Sequence, residues 1–188
     1  MLFKKIEKAV EESMPSDQSI AHRMDHLQRV RRNSLELAKN YNVDMEVLEI
    51  AALLHDVNQP IGKKNEHVEM SVDTAKKILE SCTVEKEKAE KILRIVSEHS
   101  TERITNKSSM ESKILFDADK LDGIGAVGIA RVFSYSGQHS MSIKEAMAWY
   151  RKKIDIAINA LNTKEAKEIA KEKLAYVEDF LYRLEKDV

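Results

Sequence analysis

Residues 53–64 read LLHDVNQPIGKK, an apolar run that meets a His-Asp pair and then passes into a loop. Apolar residues at helical spacing begin at about Val47, and Asp44 can cap this helix. The segment after the pair contains Pro60 and Gly62. His55 and Asp56 therefore lie at the C-terminal end of a predicted helix. A buried imidazole beside a buried carboxylate needs a partner that satisfies both groups, and a divalent metal ion is the usual one.

The rest of the chain also has the composition and patterning of helices. Its 188 residues include only five Gly and two Pro, and no convincing strand alternation occurs. Spacing and stop signals predict helices over residues 2–13, 18–42, 44–56, 66–81, 85–100, 109–121, 142–161 and 163–187. Three glycines in LDGIGAVGIARVF (121–133) indicate close helix packing or a tight helix start. We predict an all-α protein, a single domain over residues 1–188 that ends in a helical pair over 142–187.

Charge and composition argue against several classes of partner. The formal net charge is −1, so no strong field attracts nucleic acid or an anionic membrane. A single cysteine, Cys82, fits a reducing compartment, and the longest apolar runs are far below the roughly 20 residues that span a bilayer. The terminal helices show no aromatic platform for stacking a nucleic-acid strand. We expect a cytoplasmic protein without membrane or long nucleic-acid partners, whose terminal helices are ordinary packing or a homodimer face.

Several helices direct a metal-capable side chain toward the interior. Their spacing from apolar residues on the same helix places His26, His55, His99 and Asp119 on buried faces. A lone histidine on an apolar face is more often a hydrogen-bonded core residue, so the coincidence of several is what favours a metal site. From spacing alone, a metal site and the absence of one are equally probable interpretations. Spacing also does not decide whether Asp117 or Asp119 would be the ligand.

Three sequence contexts, in order, resemble the HD superfamily of metal-dependent phosphohydrolases. They are HLQRVRRNSLELA from His26, EIAALLHDV around His55 and Asp56, and ILFDADKLDGIGAVGIAR around Asp119. The order H…HD…D spans residues 20–135, and its last context resembles a branch of small stand-alone HD-domain proteins. The resemblance implies an all-α fold with a metal site between helices, and it selects Asp119 over Asp117.

The resemblance also implies the ligands of the metal. It assigns a first ion to four of them, His26, His55, Asp56 and Asp119. Some members of the superfamily carry two further histidines, and His67 and His99 stand at suitable places, in which case Asp56 would bridge two ions. An exposed capping role for His67 stays open. Imidazole and carboxylate ligands suit Mn, Fe, Co, Ni or Zn, and the sequence does not choose among them.

The implied reaction is hydrolysis of a small phosphorylated molecule, most simply a nucleotide or nucleoside phosphate, by metal-activated water. Besides Asp56, we expect Asp122 to orient the water and Lys120 to assist or to pair with a carboxylate. Substrate-binding candidates are Arg23, Lys63 and Lys64. The two lysines precede a predicted helix start, where backbone N–H groups favour an anion, but they also fit solvated loop residues.

Two other functions stay open beside the hydrolase. One is a regulatory nucleotide-binding module that keeps the metal without turnover. The other is a di-iron oxygenase, because some members of the superfamily use the same ligands to activate O₂. We expect the remaining histidines, His22 and His139, either to contact the ligand side chains without binding the metal or to lie on the surface. Related proteins often have an acidic residue soon after the His-Asp pair, where this chain reads VNQP at 57–60. A supporting role of such an acidic residue near the metal is therefore not expected here.

Overall fold

The computed structural model describes residues 2–17, 20–60 and 66–188, which form nine α-helices and one 3₁₀ turn with no β-strand. The helices are α1 (Leu2–Ser13), α2 (Met24–Ala38), α3 (Met45–Leu54), α4 (His67–Ser81), α5 (Lys86–Ser97), α6 (Met110–Asp122), α7 (Gly125–Gln138), α8 (Ile143–Ala160) and α9 (Lys164–Asp187), and the 3₁₀ turn is Ile20–His22. The prediction of an all-α fold is confirmed. Within the described ranges, no helix has both the length and the apolar character that a membrane span requires.

Helix α3 lies at the centre of the packing. It contacts α2, α5 and α6, and seven of its ten residues are buried, including Leu48, Leu53 and Leu54. A helix that is apolar on most of its sides belongs in a core, which explains the nearly continuous apolar run of this segment. Its N-terminus is capped as the sequence predicts, because Asp44 accepts a hydrogen bond from the backbone of Val47 at 3.1 Å. The helix therefore ends inside the molecule, at His55.

The region before α2 differs from the sequence-based prediction of one helix over 18–42. Arg23 has an extended backbone, with φ −80° and ψ 176°, which separates the 3₁₀ turn from α2. The helical pattern of the sequence does not reveal this break, because Arg23 carries no proline or glycine signal. As a result, His22 and His26 approach the interior from two different elements.

The glycine-rich stretch is the joint between α6 and α7. Gly125 has a φ of +83°, a conformation that side chains other than glycine rarely adopt. A Cβ atom on Gly128 would lie 2.2 Å from the carbonyl oxygen of Gly123, so only glycine allows this approach. The predicted close packing and tight helix start are both confirmed. The joint folds α7 back against the end of α6.

Candidate metal centre

The side chains predicted to bind metal come together where the ends of several helices meet α6. His26 lies in the first turn of α2, and His55 and Asp56 follow the last turn of α3. His99 follows α5, and Asp119 lies in the last turn of α6. His26 and His55 are fully buried and Asp56 is 4% exposed. Five side chains distant in sequence thus share one interior region.

The histidine rings are held in a single orientation by hydrogen bonds from Nδ1. The acceptors for His26, His55 and His99 are Asp122 Oδ2 at 2.8 Å, the Ala52 carbonyl at 2.8 Å and the Val96 carbonyl at 2.6 Å. Because a carbonyl oxygen can only accept, Nδ1 of His55 and of His99 must carry the proton. In the neutral ring, Nε2 then keeps its lone pair, which is the form that binds metal.

The Nε2 atoms converge on the carboxylates. His26 Nε2 lies 3.5 Å from Asp119 Oδ1 and 3.8 Å from Asp56 Oδ2, and His55 Nε2 lies 3.9 and 3.7 Å from the same two oxygens. Both nitrogens are buried without a hydrogen-bond partner among the described residues. An ion held by bonds of about 2.1 Å can span ligands about 4 Å apart. His26, His55 and Asp56 therefore form a group that fits a divalent metal ion, and Asp119 Oδ1 lies near both imidazoles.

A second group of ligand atoms shares Asp56 with the first. Asp56, His67 and His99 each offer an atom within 4.8 Å of the others, and so do His26, His55 and Asp56. Asp56 directs Oδ1 toward His99, at 3.2 Å, and Oδ2 toward the first group. His67, at the start of α4, is half-buried, and its ring centre lies 5.3 Å from that of His99. Two groups of ligand atoms that could each hold an ion therefore share Asp56.

Electrostatics keep Asp56, Asp119 and His55 in the protonation states that bind metal. Burial opposes ionisation of Asp56, but His55, His26 and His99 outweigh it and hold the carboxyl pKa well below its usual value. Burial also opposes ionisation of Asp119, and the ammonium of Lys120, 2.8 Å away, does most to lower the pKa of that carboxyl. Burial lowers the pKa of His55 to about 4. At neutral pH both carboxylates are ionised and His55 is neutral.

Asp122 is held by hydrogen bonds at both of its oxygens, from buried or half-buried donors, and the water-orienting role expected for it stays a prediction. The donors are His26 Nδ1 at 2.8 Å, Arg29 Nε at 2.7 Å and Arg131 Nη1 at 2.8 Å. Asp122 therefore acts on the site by holding the ring of His26.

The other residues that the sequence analysis considered lie in different surroundings. Lys120 pairs with Asp119, one of the two roles expected for it. Asp117 lies outside the cluster, because its oxygens accept hydrogen bonds from the backbone of Asn162 and Thr163 before α9. Arg23 is exposed and is not among the described residues that line the adjoining cavity, and its role in substrate binding stays a prediction. Lys63 and Lys64 lie outside the described residues.

A cavity of about 650 Å³ opens beside the cluster. Asp56, His67, His99 and Asp119 line one part of it. Its described wall carries four cationic side chains, Arg103, Lys120, Arg131 and Lys153. Arg103 is paired with Glu69 across the wall. His22, expected behind the ligands or on the surface, instead lines this cavity with its Nε2 atom 3.9 Å from Asp56 Oδ2.

Aromatic rings form another part of the wall. Tyr135 of α7 stacks on Trp149 of α8, with ring centres 5.2 Å apart and planes 13° apart, and His139 also stacks on Tyr135, with ring centres 4.0 Å apart. The ammonium of Lys153 lies 4.7 Å from the centre of the Trp149 ring. The sequence analysis did not identify this aromatic stack, and the expectation that the terminal helices offer no platform for a nucleic-acid strand stays a prediction. The only sequence signal of Trp149 is the adjacent pair Trp149-Tyr150 in a charged helix, because its stacking partner belongs to α7.

The HD domain family matches residues 23–124, more than half of the chain. The chain belongs to the HD domain family. The match contains His26, the His55-Asp56 pair and Asp119, in the order that the sequence analysis used. The His and Asp groups of this HD domain could hold a metal ion, and the geometry leaves the identity of that ion open.

Relatives resemble this HD protein over nearly its whole length. YpgQ, an uncharacterized protein of Bacillus subtilis strain 168, is 31% identical over 94% of this chain and 89% of its own. Its crystal structure in complex with ADP has a TM-score of 0.78 and 28% identity over 99% of this chain and 97% of that one. An HD-superfamily hydrolase from Bacillus thuringiensis has a TM-score of 0.72 and 28% identity over 100% and 98% of the two chains.

Proposed function

We propose that this protein is a divalent-metal-dependent phosphohydrolase that acts on a nucleotide or nucleoside phosphate. The observation that carries the proposal is the pair of ligand groups that share Asp56 beside a cavity with cationic and aromatic walls. Family membership supports a hydrolase, since relatives with the same fold include HD-superfamily hydrolases.

The residues divide the work of such a reaction between them. His26, His55, Asp56 and Asp119 would hold one ion, and Asp56, His67 and His99 a second. A bound divalent ion supplies Lewis acidity, which neutralises charge on a phosphoryl group and favours the ionisation of water. Lys120 keeps Asp119 ionised and orients it, through its 2.8 Å contact with Oδ2. Asp122 fixes the ring of His26, and such hydrogen bonds behind a ligand contribute about 10–100-fold to metal affinity.

The walls of the cavity support a nucleotide rather than a bare phosphate. A volume of about 650 Å³ is in the usual range for small-molecule sites, roughly 300–1,000 Å³. The stack of Tyr135 and Trp149 offers aromatic surface to a planar base, and Arg131 and Lys153 offer positive charge to phosphates. The ADP complex of YpgQ is consistent with the same ligand class here.

A hydrolysis screen tests the proposal. The purified protein is stripped with a chelator and restored separately with Mn²⁺, Fe²⁺, Co²⁺, Ni²⁺ or Zn²⁺. Release of phosphate or pyrophosphate is then measured from nucleoside mono-, di- and triphosphates, from a phosphosugar and from single-stranded RNA. We expect ion-dependent release that is fastest from the mononucleotides, and no release from the stripped protein.

Three results would contradict the proposal. Tight nucleotide binding without release in any ion would indicate a regulatory module instead of an enzyme. Turnover that consumes O₂, together with a visible absorption band of the iron-loaded protein, would indicate an oxygenase. Faster degradation of RNA strands than of mononucleotides would overturn the substrate class while leaving metal-dependent hydrolysis in place.

A further inference from the structure

One buried carboxylate joins the metal cluster to the cavity wall. Asp122 is 2% exposed and accepts hydrogen bonds from His26 and from two arginines, Arg29 and Arg131. Arg29 also donates to Asp25 at 2.6 Å and is not part of the cavity wall, whereas Arg131 is. The two arginines thus share a partner but differ in what they can reach.

The guanidinium of Arg131 has donors to spare. An arginine carries five N–H groups. In Arg131, Nε donates to the Ala21 carbonyl at 3.0 Å and Nη1 donates to Asp122 at 2.8 Å. Within the described part of the chain these are its hydrogen bonds, so three N–H groups of a side chain that is 16% exposed remain for a ligand. The cavity is the space that Arg131 borders.

Packing of α7 fixes where this guanidinium lies. Gly128, one turn before Arg131, lets α7 approach the Gly123 carbonyl more closely than any Cβ atom would permit. The hydrogen bonds to Ala21 and Asp122 then hold the guanidinium at two of its nitrogens, Nε and Nη1. A guanidinium held in this way loses little conformational freedom when it binds an anion, and its planar fork matches two phosphate oxygens.

We propose that Arg131 binds a phosphate group of the substrate while it also holds Asp122 against the ligand His26. The proposal rests on the proposed function for its substrate class. It adds a substrate-binding residue to Arg23, Lys63 and Lys64, which the sequence predicts. It also makes Arg131 the link through which an occupied phosphate site and an ordered metal ligand support each other.

The two arginines provide a matched pair of variants, Arg131→Gln and Arg29→Gln. Metal affinity is measured by titrating the stripped proteins with Mn²⁺, and binding of ADP and of inorganic pyrophosphate is measured by calorimetry at saturating Mn²⁺. Both variants should lose metal affinity, and Arg29→Gln at least as much as Arg131→Gln, because Arg29 donates two hydrogen bonds to Asp122 and Arg131 donates one. Only Arg131→Gln should weaken the binding of ADP and of pyrophosphate, and the loss of affinity should be about 10–100-fold, as for a charged contact.

Two outcomes of these binding measurements would overturn the proposal. Equal losses of ADP affinity in the two variants, or unchanged affinity in Arg131→Gln, would show that Arg131 acts through Asp122 alone. Should Arg131→Gln fail to fold, Arg131→Lys keeps the charge but removes the fork, and we expect a smaller loss of ADP affinity, roughly 3–10-fold. Since binding is the readout, absence of hydrolysis would contradict the proposed function and leave this assignment standing.

Discussion

Asp56 faces two groups of ligand atoms with different oxygens. Oδ2 lies near His26 and His55, whereas Oδ1 lies 3.2 Å from His99 Nε2. In the absence of an ion, contact with Asp56 favours a proton on His99. Burial lowers the pKa of His99, but the hydrogen bond and charge of Asp56 outweigh burial, and the pKa is raised above the usual 6.5. In the proposed centre, a proton and a second ion would therefore compete for Nε2 of His99.

This competition predicts that metal binding depends on pH. A group whose pKa is raised holds its proton up to a higher pH, so the affinity of the second ion should increase from about pH 6 to pH 8, by at most about tenfold per pH unit. His55, with a pKa lowered to about 4, does not titrate in this range. Calorimetric titration with Mn²⁺ across the range measures the slope.

The control for this prediction is His99→Gln. It should remove both the pH slope and the second ion, leaving about one ion per chain. An affinity that is independent of pH in the wild type, or two ions in His99→Gln, would contradict the assignment of His99 as a ligand.

At the scale of elements, the α6–α7 joint places Arg131 beside Asp122. Gly128 and Gly137 both lie in α7, but only the first is in close contact. A Cβ atom at Gly128 would meet the Gly123 carbonyl at 2.2 Å and the Tyr150 hydroxyl at 2.7 Å, whereas nothing lies within 4 Å at Gly137. The two positions therefore separate packing from helix propensity.

Substitution of each glycine by alanine should change stability in opposite directions. Gly128→Ala should lower the free energy of unfolding by roughly 1–3 kcal/mol or more, since backbone must move to accept the methyl group. Gly137→Ala should leave it unchanged or raise it by up to about 1 kcal/mol, because alanine favours the helix. Urea unfolding measures both, and equal effects would contradict the close packing of the joint.

Sequence patterns predict some of the helix boundaries and miss others. Apolar spacing and the Asp44 cap predict α3 and its end at His55, because those signals are local. The break before α2 is not predicted, since the extended backbone of Arg23 has no residue type that requires it. Asp122 is predicted near the site, but its hydrogen bond with Arg131 is not, because the packing of α7 brings Arg131 to it.

At the scale of the whole molecule, the cavity depends on how the C-terminal helices attach to the ligand-bearing ones. Trp149 and Lys153 come from α8, and nothing local in that helix marks them as part of a site. Asp117 supports the attachment, since its oxygens accept hydrogen bonds from Asn162 N at 2.9 Å and from Thr163 N at 2.7 Å. The two aspartates Asp117 and Asp119 therefore serve an architectural contact and the metal cluster, a division that residue spacing alone leaves open.

The most direct measurement is the metal content of the purified protein and of two aspartate variants, by elemental mass spectrometry after loading with Mn²⁺ and gel filtration. The wild type should hold one or two ions per chain. Asp56→Ala, which removes the shared carboxylate, should hold almost none, whereas Asp117→Asn should lose stability but keep the metal, because its oxygens contact the start of α9 instead of the cluster. Full metal content in Asp56→Ala, or no bound metal in the wild type, would contradict the metal centre.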